Sequence, residues 1–164
     1  MKFIALLSTL VFFAALNFTS SAQQPTLMKW DQLEGIMNSK SDTTIVINFW
    51  ATWCAPCVKE LPHFEQIGKE NKNNKIKIIL VSLDFKSQFE IRLKKFVSEK
   101  NLSSAVYLLD EPDYNTWIDK VSPSWNGSIP ATLVINSKKG IREFYEKEFT
   151  YSELAAIVNP LIQK

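Results

Sequence analysis

The sequence predicts an α/β fold: a mixed β-sheet, parallel strands plus a closing antiparallel hairpin, with helices on both faces. Three observations carry this. Apolar, β-branched runs alternate with stretches of helical periodicity, in the order helix, strand, helix, strand, helix, strand, helix, strand, strand, helix. The early strand–helix–strand–helix–strand run calls for parallel strands joined by helical crossovers. The last two strands are separated by a short polar turn and read as a hairpin.

The elements follow in order. Gln23 to Thr26 contains Pro25 and reads as a polar lead-in. Trp30, Leu33, Ile36 and Met37 fall at helical spacing and predict an amphipathic helix over Leu27–Asn38, weakened by Gly35. Thr44–Trp50 is apolar on both parities except at Asn48, as expected of a strand covered on both faces. A helix is expected from Val58 to about Lys69, with Leu61, Phe64 and Ile67 on its buried side. Pro62 should kink it, and Gly68 with the Asn71–Asn74 cluster should end it. The next strand spans about Ile76 to Leu83.

Ser87 with Glu90 reads as a capping box ahead of a helix marked by Phe89, Leu93, Phe96 and Val97. Ala105–Leu109 is a short strand, and Asp110-Glu111-Pro112 a turn. Tyr114, Trp117, Ile118 and Val121 predict a short helix, followed by a Ser122–Ser128 loop. Ala131–Ile135 and Ile141–Phe149 form the hairpin around the Asn136–Gly140 turn. A second capping box, Thr150 with Glu153, opens the last helix, whose apolar face is Leu154, Ile157, Val158, Leu161 and Ile162 and which Pro160 strains.

The 164 residues suit one domain, with 46% hydrophobic and 22% charged side chains. A net charge of +2 argues against nucleic acid or an anionic membrane surface as partner. Lys2, the apolar stretch Phe3–Phe18 and the small residues Ser20-Ser21-Ala22 read as a signal peptide over residues 1–22, cleaved after Ala22. An uncleaved anchor is the alternative, although the run is short for a span of about 20 residues. The chain is therefore expected to be exported, to a periplasmic or other extracytoplasmic space.

The chemistry concentrates in Trp53-Cys54-Ala55-Pro56-Cys57, which holds the only two cysteines of the chain. A tight pair between a strand and a helix start is a redox pattern. Unpaired N–H groups and the helix dipole stabilise a thiolate at the first cysteine. An exported protein stapled by disulfides would carry several well-separated cysteines, so this pair is expected to react with partners. A zinc site needs four ligands, and His63 is the single histidine.

Phe49-Trp50-Ala51-Thr52-Trp53-Cys54-Ala55-Pro56-Cys57, Pro62 and Ile129-Pro130-Ala131-Thr132 together resemble the thioredoxin superfamily, closest to its exported TlpA/ResA-like thiol–disulfide branch. The likeness spans about residues 27–164 and implies a thioredoxin-like domain there. It implies that Cys54 is the attacking thiol, Cys57 the resolving thiol and the pair a redox-active disulfide. Pro130 is implied to be a cis-proline beside the sulfurs. With Ile129, whose backbone would pair with an extended substrate segment, and with Trp53 and Pro56, it would form the substrate surface. Asn48 stands where cytosolic thioredoxin has a buried aspartate and cannot take a proton. Glu60 matches a glutamate of the ResA-like branch, and at one turn from Cys57 it could accept that thiol's proton if burial raises its pKa. A solvated helix charge is the plainer reading of the same residue.

The resemblance implies a reductase of protein disulfides, cytochrome c precursors before haem attachment among them, fed by a membrane thiol-transfer protein. Protein dithiols would be the substrates of the alternative, a disulfide-forming oxidase on the same fold. A peroxiredoxin reading is weaker, because Thr52 is at a different offset from the cysteine. A thiol-based metal carrier would need a third ligand. No cofactor and no resident metal are expected, and the chain is expected to be a monomer. His63 reads as a helix-surface residue, Asp84 and Asp110 as turn caps, and the aromatic 113–125 stretch as a core flap or a partner-recognition surface.

Overall fold

Every residue of Thr44–Trp50 is buried, and this strand, β2, is the centre of the sheet. The computed structural model describes residues 23–162; the expected leader, with its cleavage after Ala22, lies outside them. The other strands are β1 (Thr26–Met28), β3 (Ile76–Ser82), β4 (Ala105–Leu109), β5 (Ala131–Asn136) and β6 (Ile141–Tyr145), in the spatial order β1-β4-β3-β2-β5-β6. β2 pairs in parallel with β3, Thr44 opposite Ile76 through Trp50 opposite Ser82. On its other side it pairs antiparallel with β5, Ile45 opposite Ile135 through Phe49 opposite Ala131. β3 and β1 flank β4 in parallel, and β5–β6 is the expected antiparallel hairpin. The turn between them ends on Gly140 at φ 67°, a left-handed conformation that glycine adopts without strain.

The alternation of β2 sorts its side chains between two cores. Val46 and Trp50 face α2 (Ala55–Glu70), α3 (Lys94–Glu99) and α5 (Tyr151–Ile162), packing with Leu61, Phe64, Leu93, Val97 and Leu154. Ile45, Ile47 and Phe49 face α1 (Trp30–Met37) and α4 (Ile118–Val121), packing with Leu33, Met37, Trp117 and Val121. Full burial of a side chain such as Phe64 or Ile47 contributes about 1.5–3 kcal/mol. The parity rule also sends Asn48 toward α2, which places an amide inside the first core.

Several expected boundaries move. Leu27 and Met28 belong to β1 rather than to the first helix, because their backbone pairs with Leu108 and Leu109. The helix starts at Trp30, where Lys29 N–H donates to Gln32 Oε1. α2 begins at Ala55, inside the cysteine motif, and runs through Pro62 to Glu70. Gly68 does not end it: a Cβ there would stand 3.1 Å from Ile78 Cγ1, so this glycine lets α2 approach β3. The Ser87–Glu90 capping box does not form. A 3₁₀ turn (Lys86–Gln88) and a π turn (Phe89–Leu93) lead into α3, and Glu90 pairs with Lys94 at 2.8 Å instead. The short helix breaks into a 3₁₀ turn (Tyr114–Thr116) and α4. The last strand stops at Tyr145, and Phe149 is buried in the first core. The second capping box forms as expected: Thr150 N–H donates to Glu153 Oε2 at 2.9 Å, and Glu153 N–H to Thr150 Oγ1 at 3.4 Å.

Candidate active site

β2 ends at Trp50, and a four-residue turn delivers Cys54 to the N-cap of α2, with Cys54 N–H donating to the Ala51 carbonyl at 3.1 Å. Ala55 and Pro56 occupy the first helical positions, where a missing N–H costs nothing. Pro56 is exposed there. Cys54 and Cys57 form a disulfide with their Cα atoms 5.3 Å apart. Cys57 N–H donates to Cys54 Sγ at 3.3 Å, so the helix start directs an unpaired donor at the first sulfur. Cys54 keeps 6% of its surface exposed and Cys57 none. An incoming thiolate or disulfide therefore meets Cys54 first.

Trp53 stands beside the pair and is 56% exposed. Across from it, the Ile129 carbonyl oxygen lies 3.8 Å from Cys54 Sγ. The Ile129–Pro130 bond is cis, and Pro130 is buried while Ile129 is half-buried. Residues separated by about 75 positions thus share one surface around the first sulfur.

Glu60 is fully buried on α2, one turn from Cys57. Its Oε1 accepts Asn48 Nδ2 at 2.7 Å and its Oε2 accepts Phe149 N–H at 2.7 Å. Burial disfavours the charged form, with a smaller push from Glu148, and raises the pKa to about 7; the two hydrogen bonds oppose this. A carboxyl at that value changes its proton occupancy near neutral pH, as a proton acceptor for a thiol requires. β6 stops at Tyr145, short of the expected Phe149, whose N–H serves Glu60.

Asp84 is more than a turn cap. It is 4% exposed, and its carboxylate accepts Thr52 N–H at 3.0 Å, Thr52 Oγ1 at 2.6 Å and Ser82 Oγ at 2.7 Å. The end of β3 thereby grips the turn that presents the cysteines. The signal for it was a polar pair, Ser82 and Asp84, closing an otherwise apolar strand. Asp110 instead pairs with Lys86 at 2.7 Å and Lys29 at 3.2 Å. His63 is half-buried on α2. Of the aromatic stretch, Trp117 and Trp125 are buried under Phe49, with Trp125 4.7 Å from it, whereas Tyr114 remains exposed. Among the described residues, no three of His, Cys, Asp and Glu gather as a metal-binding set.

Known proteins place this arrangement. The chain is 29% identical over 117 residues to the thiol-disulfide oxidoreductase ResA of Oceanobacillus iheyensis, a match covering 71% of this chain and 56% of that protein. The matched stretch therefore spans little more than half the length of that relative. A thioredoxin-related protein from Neisseria meningitidis serogroup B superposes with a TM-score of 0.64 at 22% identity, covering 76% of this chain and 89% of that one. StoA from Bacillus subtilis superposes with a TM-score of 0.58 at 22% identity, covering 75% and 86%. These likenesses bear out the thioredoxin-like fold and the resemblance to ResA-like thiol–disulfide proteins. Residues 12–144 match the family described as AhpC/TSA, and the chain belongs to the AhpC/TSA family.

Proposed function

We propose that this protein is an exported thiol–disulfide oxidoreductase that reduces protein disulfides. The observation that carries the reading is the asymmetry of the sulfur pair: Cys54 caps the helix at the surface, and Cys57 is sealed beneath it. In the reduced protein, the Cys54 thiolate attacks one sulfur of a substrate disulfide, and the other substrate sulfur leaves as a thiolate. Cys57 then gives its proton toward Glu60, attacks Cys54 Sγ and releases the second substrate thiolate. The substrate gains two electrons and leaves as two thiolates, which take their protons from solvent, Glu60 passes the Cys57 proton back to solvent, and the Cys54–Cys57 disulfide forms. A second dithiol, in this reading a membrane thiol-transfer protein, returns the pair to the reduced form.

Trp53, Pro56, Ile129 and Pro130 form the substrate surface in this scheme, with the Ile129 backbone pairing to an extended segment. The name of the ResA relative supports the chemistry. Residues 1–22 serve as the export signal and residues 27–164 as the working domain, which acts as a monomer. Peroxide reduction is disfavoured because Thr52 stands at a different offset from the cysteine and its hydroxyl proton is donated to Asp84 at 2.6 Å, so that it cannot also donate to the sulfur.

The reduction potential of the pair, equilibrated against glutathione or dithiothreitol at pH 7, tests the direction. A value at or below about −250 mV fits a reductant. One near about −120 mV would recast the protein as a disulfide donor.

A further inference from the structure

Two adjacent residues of α2 meet two adjacent residues of the segment between β6 and α5. Inside the core, Glu60 Oε2 accepts Phe149 N–H at 2.7 Å. Next to that bond, Lys59 Nζ pairs with Glu148 Oε1 at 2.6 Å. The lysine side chain is 74% exposed and the glutamate 33%, whereas Glu60 is fully buried. The ion pair therefore stands where the dry carboxyl site meets solvent.

The segment is anchored on its other sides too. Glu146 Oε1 accepts Ser128 N–H at 3.0 Å, and Lys147 pairs with Glu153 at 2.8 Å. These contacts tie it to the loop before Pro130 and to α5. Its polar contacts with α2, among the described residues, are the Lys59–Glu148 pair and the Phe149–Glu60 bond. An ion pair this exposed adds little to stability, so its effect falls on the charge beside it.

Other titratable groups stand on the elements packed around Glu60. On α2, Cys57 is in the disulfide, and His63 lies one turn on, half-buried. β2 and β5 present neutral groups, Asn48 and Thr132. At the end of β6, Tyr145 donates to Glu143 at 2.5 Å. On α5, Tyr151 donates to Glu70 at 2.6 Å, and Glu153 holds Lys147. Among the described residues, Glu148 is the charge that bears on Glu60, and it disfavours a second negative charge there.

We propose that Lys59 and Glu148 are a positioning pair for the proton step: a charged clasp that holds Phe149 N–H on Glu60 and governs, by its balance of charge, how readily Glu60 takes the Cys57 proton. This rests on the thiol–disulfide exchange reading and adds two residues to it that touch neither sulfur nor substrate.

The sign of the effect separates a charged clasp from a mechanical tie. Without Lys59, Glu148 is uncompensated and Glu60 keeps its proton to higher pH. Without Glu148, Lys59 is uncompensated and Glu60 releases its proton at lower pH. A tie that only held the backbone would break in both variants and move Glu60 the same way in each.

The test is the titration of Glu60 in the full chain by carboxyl 13C NMR, in wild type, Lys59→Met and Glu148→Gln, with Glu60→Gln assigning the signal. Both altered positions reach solvent, so neither variant leaves a hole in the core. The midpoint is expected to rise in Lys59→Met and fall in Glu148→Gln, each by about 0.2–0.7 pH unit, the strength of an exposed charge pair expressed as a pKa change. Salt at about 1 M should shrink the spread. Shifts of the same sign in both variants, or no shift in either, would overturn the proposal. Stopped-flow release of substrate thiol tests the exchange reading separately, because the midpoint of its pH profile should follow the NMR midpoint. If the kinetic midpoint follows Glu60 but both variants shift alike, the exchange reading stands and the clasp is wrong. If the NMR midpoints part as expected while the kinetic one stays fixed, Glu60 is not the acceptor for Cys57, and the proposal falls with that step.

Discussion

Asn48, on the central strand, donates its side-chain amide to Glu60 Oε1 at 2.7 Å and so ties the middle of the sheet to the active-site helix. The same amide nitrogen lies 3.2 Å from Thr132 Oγ1, while Asn48 Oδ1 is buried without a partner among the described residues. Two donors hold the Glu60 carboxyl in a dry site, and desolvation still outweighs them, since the pKa rises to about 7. An aspartate at position 48 would put a second acid in this core. An asparagine leaves Glu60 as the single titrating group between strand and helix there.

Stability should therefore fall with pH in a window set by Glu60. The folded protein holds this proton up to about pH 7, whereas a carboxyl at its ordinary value releases it near 4.5. The contribution is fully present below pH 4.5 and is lost as pH rises through 7, with a total on the order of 3 kcal/mol. Glu60→Gln removes the titration. Urea unfolding of both proteins from pH 4 to 8 should show wild type losing about that much relative to the variant; a constant difference would refute the raised pKa.

Resolution of the mixed disulfide should follow the same group. Its rate is expected to rise with pH through about 7, as Glu60 becomes able to accept the Cys57 proton, and Glu60→Gln should remove that inflection. Stopped-flow release of substrate thiol measures it. An identical pH profile in the variant would leave Glu60 a structural residue only.

Asn48→Asp should make the pair behave as two interacting acids. The new carboxyl would face Glu60 where the amide now donates, and the pair's second ionisation would move above pH 7. The variant is expected to lose about 2–4 kcal/mol at pH 8 and to recover much of it at pH 5, because a raised pKa favours the folded state only while the proton stays bound. Thermal unfolding at the two pH values separates this from a loss that is independent of pH.

Asp84→Ala should loosen the cysteine turn. Two Thr52 donors and the Ser82 hydroxyl lose their acceptor in a nearly buried position, at a cost of about 3 kcal/mol. Asp84→Asn keeps an acceptor and should cost less. Unfolding midpoints of both variants rank the effect, and equal midpoints for all three proteins would show that Thr52 is positioned without Asp84.

The two cysteines should fail in different ways. Cys54→Ser is expected to reduce disulfide exchange to the uncatalysed background. Cys57→Ser should retain the first attack and accumulate a protein–substrate mixed disulfide, visible as a mass increase under non-reducing conditions. Full turnover in Cys57→Ser would overturn the two-cysteine mechanism.

The sequence by itself determined the parts that depend on neighbouring residues. An apolar run at Thr44–Trp50, a cysteine pair after it and a 3.6-residue periodicity from Leu61 to Ile67 specify a strand, a turn and a helix through local preference and burial. The order of these patterns was enough for the mixed sheet, and Thr150 with Glu153 was enough for the last helix start. Glu60 was legible as a candidate because it matches a glutamate of the ResA-like branch, at an offset that places it one helical turn from Cys57. Tertiary structure alone decided what depends on long-range partners. Leu27 and Met28 became a strand because β4 offers them hydrogen bonds. Gly68 became a packing contact because Ile78 lies beneath it. Ser87 lost its capping role to a π turn that buries Phe89 and Leu93. Glu60 acquired its raised pKa from burial in the folded core, against the opposing hydrogen bonds of Asn48 and Phe149, and Asp84 acquired Thr52, 32 positions away. A hydrogen bond or a desolvation between distant residues leaves no periodicity in the chain. Only the register of β2 against β3 and β5 brings those groups within reach, and that register is a property of the folded sheet.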